Sequence, residues 1–185
     1  MEPNNAPCGG IAWSSPLTMG DRVSASRISA TGRIAAPAST VFGIVSSPEG
    51  HVLIDGSGML EAATAATPVT AVGDSFDMDM DRTPLSDIPG LVKYQVRNTV
   101  TQFVPDRLFE WSVGTPERPN LYGHVYGWQI EPVSDTECDV TNYCDWTAVA
   151  RKYLDRRPWP VVPVEMLEKS VQNLARIAAS AEPPA

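Results

Sequence analysis

Through most of the chain apolar side chains recur at every second position, and near its end they recur at helical spacing instead. The first alternating run is 26–36, where Ile28, Ala30 and Ile34 interleave with Arg27, Ser29, Thr31 and Arg33, the pattern of a half-buried strand. Pro37 then opens a helix with Val41, Phe42, Ile44 and Val45 on its apolar side, and Ser46, Ser47 and Pro48 end it. A second short helix is predicted over 49–54, closed by the turn Asp55-Gly56-Ser57-Gly58.

Beyond that turn the pattern is an antiparallel meander. Residues 59–67 are small and alanine-rich; Gly73-Asp74 turns into 75–81, where Phe76, Met78 and Met80 alternate with Asp77, Asp79 and Asp81. Same-face aspartates on a strand, without a calcium-loop glycine, predict a solvated outer face rather than a metal site. The Pro- and Gly-containing stretch 83–91 is expected as a loop over one mouth of any cavity. The strand 92–104 turns Val92, Tyr94, Val96, Asn98, Val100 and Gln102 inward, and 108–113 puts Phe109, Trp111 and Val113 on one face. The last strand, 136–147, aligns Cys138, Val140, Asn142, Cys144 and Trp146. After an insertion at 148–163 with Tyr153, Leu154, Trp159 and Val161, residues 164–179 form an amphipathic helix whose stripe is Val164, Leu167, Val171, Leu174 and Ala178.

The richest stretch is 120–130, NLYGHVYGWQI. Read as a strand, it places Tyr122, His124, Tyr126, Trp128 and Ile130 on one face and glycines, Val125 and Gln129 on the other. Two phenols and an imidazole need hydrogen-bond partners when buried. Such a face suits the wall of a cavity that is apolar in bulk with a few polar handles, or ordinary packing with ring tips reaching water.

Composition narrows the classes. A chain of 185 residues, 43% hydrophobic and 19% charged, suits one globular domain over 26–181, with a disordered arm over 1–25 and a frayed tail over 182–185. The arm lacks the features of a secretory signal, and Met19 is an alternative start. No apolar run approaches the roughly 20 residues that span a bilayer. The net charge of -8 argues against a nucleic-acid surface. Arg151, Lys152, Arg156 and Arg157, interrupted by Asp155, read as a solvated turn or helix edge. Three cysteines, an odd number, suit a reducing compartment and a cytoplasmic location. On one strand Cys138 and Cys144 would stand about 20 Å apart and could not pair. With only His51 and His124 and no Cys-x-x-Cys, no metal or cofactor is expected.

The order of elements, with Arg33-Ile34-Ala35-Ala36-Pro37 before Val41-Phe42, the Asp55–Gly58 turn, the Asp145-Trp146 strand end and Met166-Leu167-Glu168-Lys169-Ser170 with Asn173-Leu174, resembles the helix-grip fold of the START and pollen-allergen-like superfamily (SRPBCC). Within it, the chain is similar to the bacterial polyketide cyclase/dehydratase and lipid-transport group. The resemblance implies an α+β architecture: a curved antiparallel sheet of about seven strands wrapped on a long C-terminal helix, two short helices after the first strand, and an internal apolar cavity. The expected wall is Phe76, Met78, Tyr94, Asn98 and Trp111 from one part of the sheet and Tyr122, His124, Tyr126, Trp128, Asn142 and Trp146 from the other. Leu167 and Val171, with Val164, close it from the helix.

Three functions compete. The first is binding or transport of a small hydrophobic or aromatic ligand, a lipid, sterol or polyketide-like molecule. The second is cyclase/dehydratase chemistry with His124 as acid/base and Tyr122 or Tyr126 as its partner, Asn98 and Asn142 orienting a carbonyl. His124 has no identifiable carboxylate partner, which suits a wall histidine that only orients a ligand. The third is an interaction domain with a filled core, and a homodimer is left open. His51, beside Glu49 and Asp55, is expected at the surface near the cavity entrance, and Cys144 as a buried structural thiol.

Overall fold

The described residues build seven strands: β1 (Arg27–Ile34), β2 (Leu60–Ala63), β3 (Ser75–Asp81), β4 (Lys93–Val104), β5 (Leu108–Gly114), β6 (Val125–Ser134) and β7 (Glu137–Asp145). The computed structural model describes residues 26–64 and 68–180. The expected arm over 1–25, the tail over 182–185 and the end of the alanine-rich run at 65–67 lie outside the described residues. The strands form one antiparallel sheet in the order β1-β7-β6-β5-β4-β3-β2. Helices α1 (Ala38–Val45) and α2 (Pro48–Ile54) follow β1, the single turn α3 (Arg151–Leu154) lies in the expected insertion, and α4 (Val164–Ala178) ends the fold.

Each helix starts where local chemistry permits it. Ser47 caps α2, its Oγ accepting from Gly50 N at 3.2 Å, and Pro48 occupies the first turn, where no backbone donor is required. Pro163 precedes α4, which buries Leu167, Ser170, Val171, Leu174 and Ala178 against the sheet and α2. Asp55 organises the turn after α2: its carboxylate accepts from Ser57 N, Ser57 Oγ and Leu60 N at 2.7–2.9 Å. Gly56 N donates to Ser170 Oγ at 2.9 Å, which ties the turn to α4.

The outer aspartates of β3 are paired across the sheet rather than left to water. Asp77 meets Arg97 in a two-pronged bridge at 2.7 Å, Asp79 accepts from Gln95 at 3.2 Å and Asp81 accepts from Lys93 at 2.9 Å. Opposite charges facing each other on adjacent strands remove the repulsion that the aspartates would otherwise bring.

Two parity assignments are corrected. A register shift between Val100 and Gln102 adds one residue to β4, so Gln102 turns out to solvent and Phe103 turns in, its ring 5.2 Å from Phe42 and 6.2 Å from Phe109. The central strand begins at Val125, not at residue 120, because Gly123 adopts φ +89 and breaks the extended run. Tyr122 and His124 therefore precede β6.

Candidate functional site

Between the concave face of the sheet, α2 and α4 lies a cavity of about 440 Å³. The loop over 83–91 contributes Ile88 and Leu91 to its wall, and the segment after α3 contributes Arg157, Val161 and Val162. Among the expected wall residues, Met78, Tyr94, Asn98 and Trp111 line it from β3, β4 and β5. Tyr122, His124, Tyr126, Trp128 and Asn142 line it from β6, β7 and the approach to β6, and Leu167 lines it from α4.

Four expected residues lie elsewhere. Phe76 is buried at 2% exposure in the core behind the cavity, its ring 5.1 Å from His51 and 6.5 Å from Phe109. Trp146 lies just past β7 and packs with Cys144 and Val149 in a separate small cluster. Val171 sits over β1, where the absence of a side chain at Gly32 makes room for its methyl. Val164, half-buried at the start of α4, is likewise absent from the wall.

His124 is the buried polar centre of the site. It is 3% exposed, and its ring packs edge-on against Tyr126 at 5.6 Å and Trp159 at 5.0 Å, with Tyr122 at 6.1 Å. Its Nδ1 is buried without a hydrogen-bond partner in the protein. Burial, reinforced by the Arg157 charge, lowers its pKa to about 4, so the imidazole is neutral at neutral pH. Burial also pushes the Tyr126 phenol well above its ordinary range and the Cys144 thiol up to about 12. Neither is a ready nucleophile or base.

His51 is not at the surface. It is 5% exposed, its Nε2 is hydrogen-bonded to the Val45 carbonyl at 2.7 Å, and its ring lies 4.5 Å from Trp111 on the cavity wall. Burial lowers its pKa to about 4 as well. Arg82, also on the wall and 5% exposed, makes a two-pronged bridge to Asp87 at 2.8 Å and donates to the Tyr94 hydroxyl at 3.3 Å. Arg157 stacks over Tyr122 and Trp159, 4.4 and 4.8 Å from their ring centres. Sequence reasoning had placed it on a solvated edge; the nearby Trp159 and Tyr153 were the available signal of an aromatic platform. Among the described residues, no three His, Cys, Asp or Glu side chains are grouped so as to hold a metal ion, and no described helix is long and apolar enough to cross a membrane.

Comparison with known proteins bears on the frame of this site. No family model matches the chain. An uncharacterized protein of Mycobacterium tuberculosis, Rv0088, is 32% identical over 122 residues, which cover 66% of this chain and 48% of that protein. The chain spans about half the length of the curated relatives it matches. Among solved structures, protein CV1439 of Chromobacterium violaceum aligns over 84% of this chain and 99% of its own, at 12% identity and a TM-score of 0.58. Norcoclaurine synthase of Thalictrum flavum, in complex with dopamine and hydroxybenzaldehyde, aligns over 85% of this chain and 88% of its own, at 14% identity and a TM-score of 0.57. This is a helix-grip fold.

In a helix-grip frame the last helix lies across an incompletely closed sheet, and the cavity occupies the gap between them. Here α4 contributes Met166, Leu167 and Ser170 to that gap. Met80, on the same apolar face of β3 as Met78, and Met59, which the sequence pattern leaves unassigned, add adaptable thioether surface.

Proposed function

We propose that this protein binds a small, predominantly apolar ligand in the internal cavity, as a carrier or receptor of a lipid, sterol or polyketide-like molecule. The observation that carries this reading is the cavity itself. At about 440 Å³ it lies above the roughly 300 Å³ at the lower end of ligand pockets, and its wall joins thioethers and aromatic rings to one buried, unpartnered imidazole nitrogen. A filled-core interaction domain would not be expected to retain that volume. Native mass spectrometry of gently purified protein, followed by titration with the neutral dye N-phenyl-1-naphthylamine, tests the reading. A co-purifying apolar molecule or saturable dye binding supports it; an empty protein that does not bind the dye overturns it.

The open Nδ1 of His124, with Tyr122 and Tyr126 beside it, favours a second reading as an enzyme acting on an aromatic or polyketide carbonyl compound. The aldehyde in the norcoclaurine synthase complex makes hydroxybenzaldehyde a reasonable first substrate to offer. A base with a pKa near 4 is weak at neutral pH, which places this reading second.

A further inference from the structure

The cavity wall carries four basic side chains, His51, Arg82, His124 and Arg157, and one carboxylate, Asp55. The internal partners of each decide what charge the site can accept. His51 is held by the Val45 carbonyl and Arg82 by the Asp87 carboxylate. Asp55 accepts from the backbone and hydroxyl of Ser57 and from Leu60 N. Two groups remain. His124 Nδ1 and Arg157 Nε are both buried atoms with no hydrogen-bond partner in the protein.

These two atoms belong to one local cluster. Arg157 stacks on Tyr122 at 4.4 Å and on Trp159 at 4.8 Å, and His124 packs against the same two rings at 6.1 and 5.0 Å. The Arg157 charge acts directly on His124, contributing to its lowered pKa. Stacking uses the face of a guanidinium and leaves its in-plane N–H donors for an acceptor. An ammonium ligand would meet Arg157 here and find no free carboxylate on the wall. The Asp87 carboxylate acts on the Arg157 charge only at a distance, and an oxyanion would supply the acceptor that Arg157 Nε lacks.

We infer that the ligand is an amphipathic acid, with an apolar body against Met78, Trp111 and Leu167 and an anionic oxygen accepting from Arg157 Nε and from His124 in its Nδ1–H tautomer. This deepens the cavity-binding reading and rests on it.

Calorimetry on the full chain at pH 7 with 2-naphthoate and 2-naphthamide, which share a ring system and differ in head-group charge, tests the inference. Displacement of N-phenyl-1-naphthylamine locates each in the cavity. The acid is expected to bind about tenfold or more tightly than the amide, the range of a hydrogen bond to a charged group. Arg157→Gln should bring the ratio of acid to amide affinity to near one, and Arg157→Lys should keep part of the preference. Equal affinity of the wild-type chain for acid and amide would overturn the acid assignment while leaving cavity binding in place. Failure of the acid, the amide and the dye to bind would overturn cavity binding and the assignment together. The wild-type comparison decides the matter even if a variant does not fold.

Discussion

His124 separates ligand handling from catalysis at one position. A general acid/base contributes about 10²–10⁴-fold in rate, whereas a hydrogen bond that only holds a ligand contributes roughly 0.5–1.5 kcal/mol, about tenfold or less in affinity. With its pKa lowered to about 4 by burial, the imidazole is suited to the second task. His124→Gln keeps a polar group of similar reach and removes the titrating nitrogen. We predict that it weakens binding of a cavity ligand by about tenfold or less in a fluorescence titration. With hydroxybenzaldehyde or a polyketide offered as substrate, a collapse in turnover with little change in binding would instead establish the enzyme reading. The rings around His124 were legible in 120–130 because tyrosine, histidine and tryptophan at alternate positions are unusual for a dry core. The reason they line the cavity was not legible, since Gly123 at φ +89 takes Tyr122 and His124 out of the strand. Their place on the wall comes from the turn leading into β6, not from strand parity.

At the scale of elements, the Asp55–Gly58 turn fits tightly against α4. Gly56 N donates to Ser170 Oγ, and Asn173 Nδ2 donates to the Ile54 and Asp55 carbonyls at 3.4 and 3.3 Å. A Cβ on residue 56 would stand 2.1 Å from Met166 O and 2.5 Å from Ser170 N, both backbone atoms of the helix. Gly56→Ala must therefore displace α4. We predict a loss of about 1–3 kcal/mol or more in urea unfolding, the range of core overpacking. Because Met166, Leu167 and Ser170 line the cavity, dye affinity should fall as well. Ser170→Ala removes two hydrogen bonds without a clash, the one from Gly56 N and the one to Met166 O, a carbonyl that the backbone of α4 still serves, and is expected to cost about 1 kcal/mol; an equal loss from both variants would refute the steric argument. The elements themselves were legible because their hydrophobic periods differ clearly. The bulge in β4 was not, because one extra residue reverses parity without changing composition, and strict alternation placed Gln102 inward. Phe103, a large ring left on the face assigned to solvent, was the local sign that the register shifts.

At the scale of the whole molecule, the buried position of His51 becomes intelligible. Helix α2 is a short segment with no periodicity of its own to read, and only the assembled fold sets its inner face on Phe76, Phe109 and Trp111. The molecule thus buries two histidines, each with its pKa lowered from 6.5 to about 4, chiefly by desolvation. Both are neutral in the folded chain at pH 7. As pH falls below about 6.5 the unfolded chain takes up two protons that the folded chain refuses until about pH 4. Unfolding is therefore favoured progressively through that window, and the stability present above pH 6.5 is lost as pH falls toward 4, by up to about 3 kcal/mol for each histidine. Carboxylates held low by a cationic partner, Asp77 by Arg97 and Asp139 by Arg33, add their losses at still lower pH. We predict that the urea midpoint falls steadily between pH 7 and 4.5, earlier than carboxylate titration alone would dictate. His51→Gln, which retains a donor for the Val45 carbonyl, should remove about half of that slope, and His124→Gln a comparable part. A midpoint that stays level from pH 6.5 to 4.5 in the wild-type chain would mean that the two imidazoles are not held neutral by burial.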